Sequence, residues 1–405
     1  MNHTRLRLSL TLFVFVLLIQ SQALAEEKQS PSCVAAGTWS DADSNIVKQT
    51  TLLKTLAKQQ VVLLGEDHEN AQHHRWQLHT IAKLHAIQPD MMLAFESFPR
   101  NTQPILDSWV AGKLSEKQFL DQVNWQKIWT YNPDYYLPLF YFARMHRIPM
   151  IAMNVNRSLV AEVSQKGWKN IPPEQREGIT DPAPAQTAYL EMLADIFSQH
   201  MPGGGHGHGT DPSANIDVAA MLNNPGFQRF SQGQLLWDRA MAEAIHKNHP
   251  RSKLTVAIVG AGHIMGGYGI PHQLNDLGIK KIKTLMPWDG VLECAQLKEN
   301  IVDYVFGTDL ISADQEALSK PKLGVYLEAA EQGVAIKKVI PDSIAEKTGI
   351  KAGDTIVDIA GRKANSIADV VNAVQATAWG TWLPLTIQRQ QENKLFVVKF
   401  PAAAE

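Results

Sequence analysis

Four short apolar runs each end abruptly in a polar cluster, and this pattern narrows the fold more than any other feature. Val61–Leu64 leads into Gly65-Glu66-Asp67-His68. Met91–Phe95 leads into Glu96-Ser97. Pro149–Met153 leads into Asn154, with Asn156 and Arg157 behind it. Leu254–Val259 leads into Gly260-Ala261-Gly262-His263. Between these runs lie segments of helical period. Gln72–Ile87 carries Trp76, Ile81 and Leu84 near one face, and Gln228–Asn248 carries Trp237, Met241 and Ile245 at i, i+4 and i+8. Leu137–His146 and Gln186–His200 also read as helices, and Ile282–Leu285 as a fifth strand. Strands alternating with helices predict an α/β domain with a mostly parallel sheet flanked by helices.

The ligand crevice of such a sheet lies outside the carboxyl ends of its strands. If the strands are neighbours, Glu66, His68, Glu96 and His263 share one crevice. Two carboxylates with imidazoles suit either metal binding or acid/base chemistry. His73 and His74 fall in a first helical turn, where adjacent residues cannot share a face; His74 is the one expected to reach the crevice. The loop Trp125–Pro138 holds Trp125, Trp129, Tyr131, Tyr135 and Tyr136. It either plugs a core edge or walls a flat apolar ligand, with a tyrosine phenolate available to iron. The glycine-rich stretch Met201–Pro212 carries His206 and His208, two further candidate metal ligands. His68-Glu69 and His73 miss the spacing of a zinc-protease helix, and no G-x-S-x-G elbow exists. No C-x-x-C-H exists, so any haem is bound non-covalently.

At 405 residues the chain predicts two or three domains. Arg5 and Arg7 precede an apolar run from Leu8 to Ile19 and then Ala23-Leu24-Ala25. Residues 1–25 therefore read as a signal peptide, and the mature protein as exported to the periplasm, with no stable membrane span. Gln29-Ser30-Pro31-Ser32 is no lipobox, so Cys33 is not a lipoprotein cysteine. Cys33 and Cys294 are the two cysteines. In an oxidising compartment they are able to form one long-range disulfide or to stay as two thiols, and the sequence leaves both open. Lys+Arg total 38 against 40 Asp+Glu. That balance gives no basic excess for nucleic-acid binding.

The expected organisation is a signal peptide over 1–25, an α/β domain over 26–312, a linker over 313–321 and a small domain over 322–405. The last region is strand-rich, with strands expected at 324–328, 333–339, 355–359, 383–389 and 395–400, and one helix at 367–376.

Val61-Val62-Leu63-Leu64-Gly65-Glu66-Asp67-His68 with His73-His74 resembles the opening motif of the ChaN-like haem-binding family. Ala94-Phe95-Glu96, Tyr135-Tyr136-Leu137-Pro138-Leu139, Leu236–Ala242 and Val259–His263 resemble its later motifs. The resemblance implies a haem-binding protein of bacterial iron uptake, with a homodimer as a possible assembly. It implies a haem site among Glu66, His68, His74, Glu96, Tyr135, Tyr136 and His263. The wider superfamily includes Tiki-type metalloproteases and erythromycin-esterase-like hydrolases. That implies an alternative, in which Glu66, His68, Glu96 and His263 hold a divalent metal ion or activate water.

Residues 322–402 resemble a bacterial-type PDZ domain, a small partly open β-barrel. Lys322-Leu323-Gly324-Val325-Tyr326 looks like its carboxylate-binding loop, and Val339–Ser343 with Gly349–Ile356 match over a longer stretch. The implied partner is the C-terminal peptide of an envelope protein, added as a strand. Leu323, Gly324, Val325 and Tyr326 are its expected contacts. Ile367, Val370, Val371 and Val374 are expected on the helix that lines the same pocket, some of them packing the domain's own core.

Overall fold

The computed structural model describes residues 33–199, 221–290, 294–297, 301–309 and 321–401. The expected signal peptide, His206 and His208, and all of the expected linker but Pro321 lie outside them.

The first domain is built on an eight-stranded sheet. Its strands are β1 (Trp39–Asp41), β2 (Ile46–Val47), β3 (Val61–Glu66), β4 (Met91–Pro99), β5 (Met150–Asn154), β6 (Leu254–Gly260), β7 (Ile282–Trp288) and β8 (Tyr304–Gly307). The order is β2-β1-β8-β7-β3-β6-β4-β5. From β8 to β5 every pairing is parallel; β1 joins β8 and β2 antiparallel. The five expected strands are all present and adjacent. The antiparallel edge was not anticipated.

Both faces of this sheet are covered, which is why its strands read as continuous apolar runs rather than alternating ones. Alternate side chains still go to opposite faces. Val62, Leu64, Leu93, Phe95, Val256 and Ile258 join one core, packed with Trp76, Ile81 and Leu84 of α1 (Ala71–Ile87) and Phe140 of α2 (Leu137–His146). Val61, Leu63, Met92, Ala94, Ala257 and Val259 join the other core with Met241 and Ile245. Those two residues belong to α4 (Pro225–Asn248), which follows α3 (Thr187–Gln199). Asn70 caps α1 by accepting the Gln72 N–H, and Asn224 caps α4.

Cys33 and Cys294 are joined as a disulfide, with Cα atoms 5.7 Å apart. Among the described residues no helix is long and apolar enough to cross a membrane.

The second domain is an antiparallel sheet of β9 (Val325–Ala329), β10 (Val334–Val339), β11 (Thr355–Ile359), β12 (Arg362–Lys363), β13 (Trp382–Arg389) and β14 (Glu392–Lys399). Its order is β14-β13-β11-β10-β9, with β12 on β11. β9 and β14 remain as edges, so the barrel is not closed. The helix α5 (Ile367–Gln375) packs against β9 and β11. Ser366 caps it in a full capping box with Asp369.

Candidate functional site

Strand parity decides where the two carboxylates go. Glu66 continues the Val62, Leu64 series and so points to the α1/α2 side. Glu96 continues the Met92, Ala94 series and points to the α4 side. The expected cluster is brought together at the ends of the neighbouring strands β3, β6 and β4 as two halves, one around each carboxylate, with His68 between them.

Glu66 is the hub of the first half. Its Oε1 accepts from the Tyr136 hydroxyl at 2.8 Å and lies 2.8 Å from His68 Nδ1. Its Oε2 lies 3.2 Å from His74 Nδ1. Burial pushes the Glu66 carboxyl up, but His74, His68 and Tyr136 outweigh it, and the group ends below the usual carboxylate range. Burial, followed by the Glu66 charge, raises the Tyr136 phenol far above its ordinary value. In this arrangement Tyr136 therefore serves as a hydrogen-bond donor to Glu66. His74 packs on Tyr136, ring centroids 4.3 Å apart, and stacks on half-buried Tyr135 at 5.7 Å. His73 accepts from the Asp67 N–H and faces Asp289 at 3.5 Å, so only His74 of the adjacent pair reaches the site.

The second half is a chain of buried groups. Tyr189 of α3 donates to Asp238 Oδ2 at 2.5 Å, and Asp238 Oδ1 lies 2.7 Å from His263 Nδ1. His263 Nε2 lies 3.5 Å from Glu96 Oε1, and Glu96 Oε2 accepts the Gly260 N–H at 2.7 Å. Burial opposes charge on both Glu96 and His263. Their mutual attraction wins, holding the Glu96 carboxyl down at about 2 and the His263 imidazolium up at about 10. Burial raises the Asp238 carboxyl, more than His263 and Tyr189 lower it.

His68 connects the halves. A Cβ on Gly260 would meet its ring at 3.1 Å and Glu96 at 3.6 Å, so the glycine makes room for both. Burial lowers the His68 pKa, but the hydrogen bond to Glu66 and the charges of Glu96 and Glu66 leave it raised. Trp129 and Tyr131 flank the ring at 4.8 and 4.9 Å. Trp125, Trp129 and Tyr136 are buried, so most of the aromatic loop plugs a core edge. Tyr131 and Tyr135 are half-buried and form its wall.

The His263–Glu96 pair sets a pH dependence. The folded His263 value lies above its ordinary 6.5, so its contribution is full below pH 6.5 and is lost as pH rises towards about 10. The folded Glu96 value lies below its ordinary 4.5, so its contribution is full above pH 4.5 and is lost as pH falls towards about 2. The pair stabilises most between these limits. Thermal unfolding of the wild type is expected to shift to lower temperature between pH 6.5 and 10, and His263→Gln to flatten that decline. An equally steep decline in the variant would place its source elsewhere.

Among the described residues no group of three or more His, Cys, Asp or Glu side chains is arranged to hold a metal ion. The expected divalent metal at Glu66, His68, Glu96 and His263 is not supported by this geometry. Asp238 and Tyr189 were not anticipated. Asp238 stood within the Leu236–Ala242 motif, but nothing in sequence spacing ties α4 to His263.

In the second domain Val370 and Val374 are buried in the core, 1% and 6% exposed, whereas Ile367 and Val371 are 38% and 37% exposed. Leu323 is buried, Val325 half-buried and Tyr326 exposed.

The fold and the site define an open α/β domain with paired buried Glu–His groups at its strand ends, joined to a PDZ domain. The haem-binding uptake, Tiki superfamily, ChaN family model matches residues 52–274, and the PDZ-domain model matches 321–400. The chain belongs to the ChaN family of haem-binding uptake proteins. The first domain is similar in fold to the solved structure of ChaN of Campylobacter jejuni, which binds haem cofacially. The likeness covers 66% of this chain and 95% of that one, with 20% identity and a TM-score of 0.50. A 74-residue stretch is 35% identical to a probable periplasmic serine protease Do/HhoA-like of Haemophilus influenzae, covering 18% of this chain and 16% of that protein. A 61-residue stretch is 43% identical to serine protease HTRA1 of Xenopus tropicalis, covering 15% and 13%. The chain spans under a fifth of the length of these curated relatives.

Proposed function

We propose that this chain is a periplasmic haem-binding protein of bacterial iron uptake, whose PDZ domain docks it to the C-terminal peptide of an envelope protein. The observation that carries the reading is the family match across the whole Glu/His site, residues 52–274. The wall beside that site suits a flat apolar ligand: Tyr131, Tyr135 and the partly exposed ring of His68. Haem held there supplies a redox-active iron to be carried. Tyr135 offers it a phenol and His68 an imidazole, while Glu66 keeps His68 and His74 oriented. Pairing of two chains around haem belongs to the same reading.

The test compares haem titrations of wild type, Tyr135→Phe and Tyr136→Phe, followed in the Soret region. Tyr135→Phe is expected to change the spectrum and weaken binding; Tyr136→Phe is expected to keep the wild-type spectrum. Unchanged binding and spectrum in Tyr135→Phe would remove that residue from the site.

A second reading, hydrolysis in the same crevice, is favoured by one observation. The buried Glu66 carboxylate orients an imidazole, His68, that is 23% exposed. An arrangement of this kind positions a general acid or base. Ester or peptide hydrolysis lost in both Glu66→Gln and His68→Asn would support it, and hydrolysis unchanged in both would reject it.

A further inference from the structure

The strand β3 outruns one of its two neighbours. Its ladder with β6 continues to the pair Glu66–Gly260, whereas its ladder with β7 ends at Leu64–Leu285. Beyond that point β7 pairs with β8, as far as Trp288. The Asp67 N–H, the first donor past β3, thus meets no strand carbonyl, and a backbone donor at the edge of a core is costly to leave unpaired.

A histidine of α1 supplies the acceptor instead. His73 is buried, and its Nδ1 accepts the Asp67 N–H at 3.0 Å. A neutral imidazole that accepts at Nδ1 carries its hydrogen on Nε2. That nitrogen faces Asp289 Oδ2 at 3.5 Å, and a carboxylate opposite it favours this tautomer. Asp289 directly follows β7, so β7 reaches the loop after β3 through a side chain where its backbone no longer does.

The loop is otherwise closed by its own bonds. Asp67 accepts the Glu69 N–H on Oδ1 and the Asn70 N–H on its carbonyl, each at 3.1 Å. Two side chains of α1 grip it from outside: His73 at the Asp67 N–H, and His74, whose Nε2 lies 3.1 Å from the His68 carbonyl. His68 sits between these grips. Glu66 orients its ring at 2.8 Å, but the ring's direction follows the backbone that carries it.

We propose that His73 and Asp289 are positioning residues for the ligand site: they hold the His68 backbone so that its imidazole, steadied by Glu66, faces the crevice, and neither touches the ligand. The proposal rests on the reading of this crevice as the haem site. Losing the acceptor at position 73 frees the Asp67 N–H, and the loop then takes other shapes in which His68 turns away from the ligand. Groups that orient a metal-binding histidine from behind change metal affinity by about 10–100-fold.

The test is a Soret-region haem titration of residues 26–405 of the chain, with His73→Leu and His73→Asn each placed in the wild-type and His68→Ala backgrounds. Hydrogen exchange of the Asp67 amide is measured alongside. Leucine removes the acceptor, whereas the Asn Oδ1 stands near the place of Nδ1 and restores it. His73→Leu is expected to weaken haem binding about tenfold or more and to give the spectrum of His68→Ala. His73→Asn is expected to stay within about threefold of wild type. Asp289→Leu, which leaves the tautomer unselected, is expected to act in the same direction as His73→Leu and to add nothing to it. In the His68→Ala background His73→Leu is expected to cause no further loss, because its effect runs through His68. An equal loss in both backgrounds, which misfolding produces, or an Asn variant as weak as the Leu variant, overturns the positioning role. Absence of haem binding by the wild type rejects the haem reading instead. The Asp67 amide then still decides on His73: faster exchange in His73→Leu alone supports its hold on the loop, and equal exchange in wild type and His73→Leu overturns it.

Discussion

Glu66→Leu is expected to lower the unfolding free energy of the first domain by about 3–5 kcal/mol. Glu66 is 4% exposed, and three polar groups converge on its two oxygens: Tyr136 Oη, His68 Nδ1 and His74 Nδ1. A leucine fills much of the space but offers no acceptor. The buried Tyr136 hydroxyl and the His68 ring then lose their partner, and each orphaned donor carries its own desolvation cost. Glu66→Gln keeps the shape and one acceptor, and should cost about 1–3 kcal/mol. Denaturant unfolding followed by tryptophan fluorescence reads both, with Trp125 and Trp129 packed against the same loop. A loss below about 1 kcal/mol for Glu66→Leu would mean that the carboxylate is not the hub the geometry describes.

The disulfide carries the second large effect. Cys33 and Cys294 close a loop of 261 residues, nearly the whole first domain. Constraining an unfolded chain over that length stabilises the folded state by about 5–6 kcal/mol in the chain-entropy account. The bond ties the segment before β1 to the chain just after β7, where Val34 and Leu297 join the α4-side core. Reduction, or the double change Cys33→Ser with Cys294→Ser, should move the first domain's unfolding midpoint down sharply. Peptide binding by the second domain should persist, since neither cysteine lies in it. Two titratable thiols in denatured, unreduced protein would contradict the pairing.

The sequence carried the parallel strands to within about four residues at their ends because buried strands must be apolar throughout. Val61–Glu66 and Leu254–Gly260 differ from expectation only by the glycine and carboxylate at their ends. It carried the α5 helix because Ser366 and Asp369 are a local capping signal. The family resemblance read from the strand-end motifs is borne out by the match over 52–274, and the PDZ resemblance by that over 321–400. Sheet order was not legible. Pairing of β3 with β6 joins residues nearly two hundred positions apart, and local patterning is blind to it. The opposed directions of Glu66 and Glu96 were within reach, since parity along each strand implies them, but only once the neighbouring order is known. Asp238 lies in a helix whose legible signal is the apolar stripe at Trp237, Met241 and Ile245, and no local spacing ties it to His263. Ile367 and Val371 against Val370 and Val374 is a separation by helix flank, visible in spacing but not assignable to core or groove without β9 in place.

The most direct test of the account is a haem titration of residues 26–405 of the chain by absorbance, with metal analysis of the same preparation. The account predicts saturable haem binding with a phenolate-type spectrum and no stoichiometric divalent metal. Absence of saturable haem together with a tightly bound divalent metal would contradict both the haem reading and the geometry of the Glu/His site.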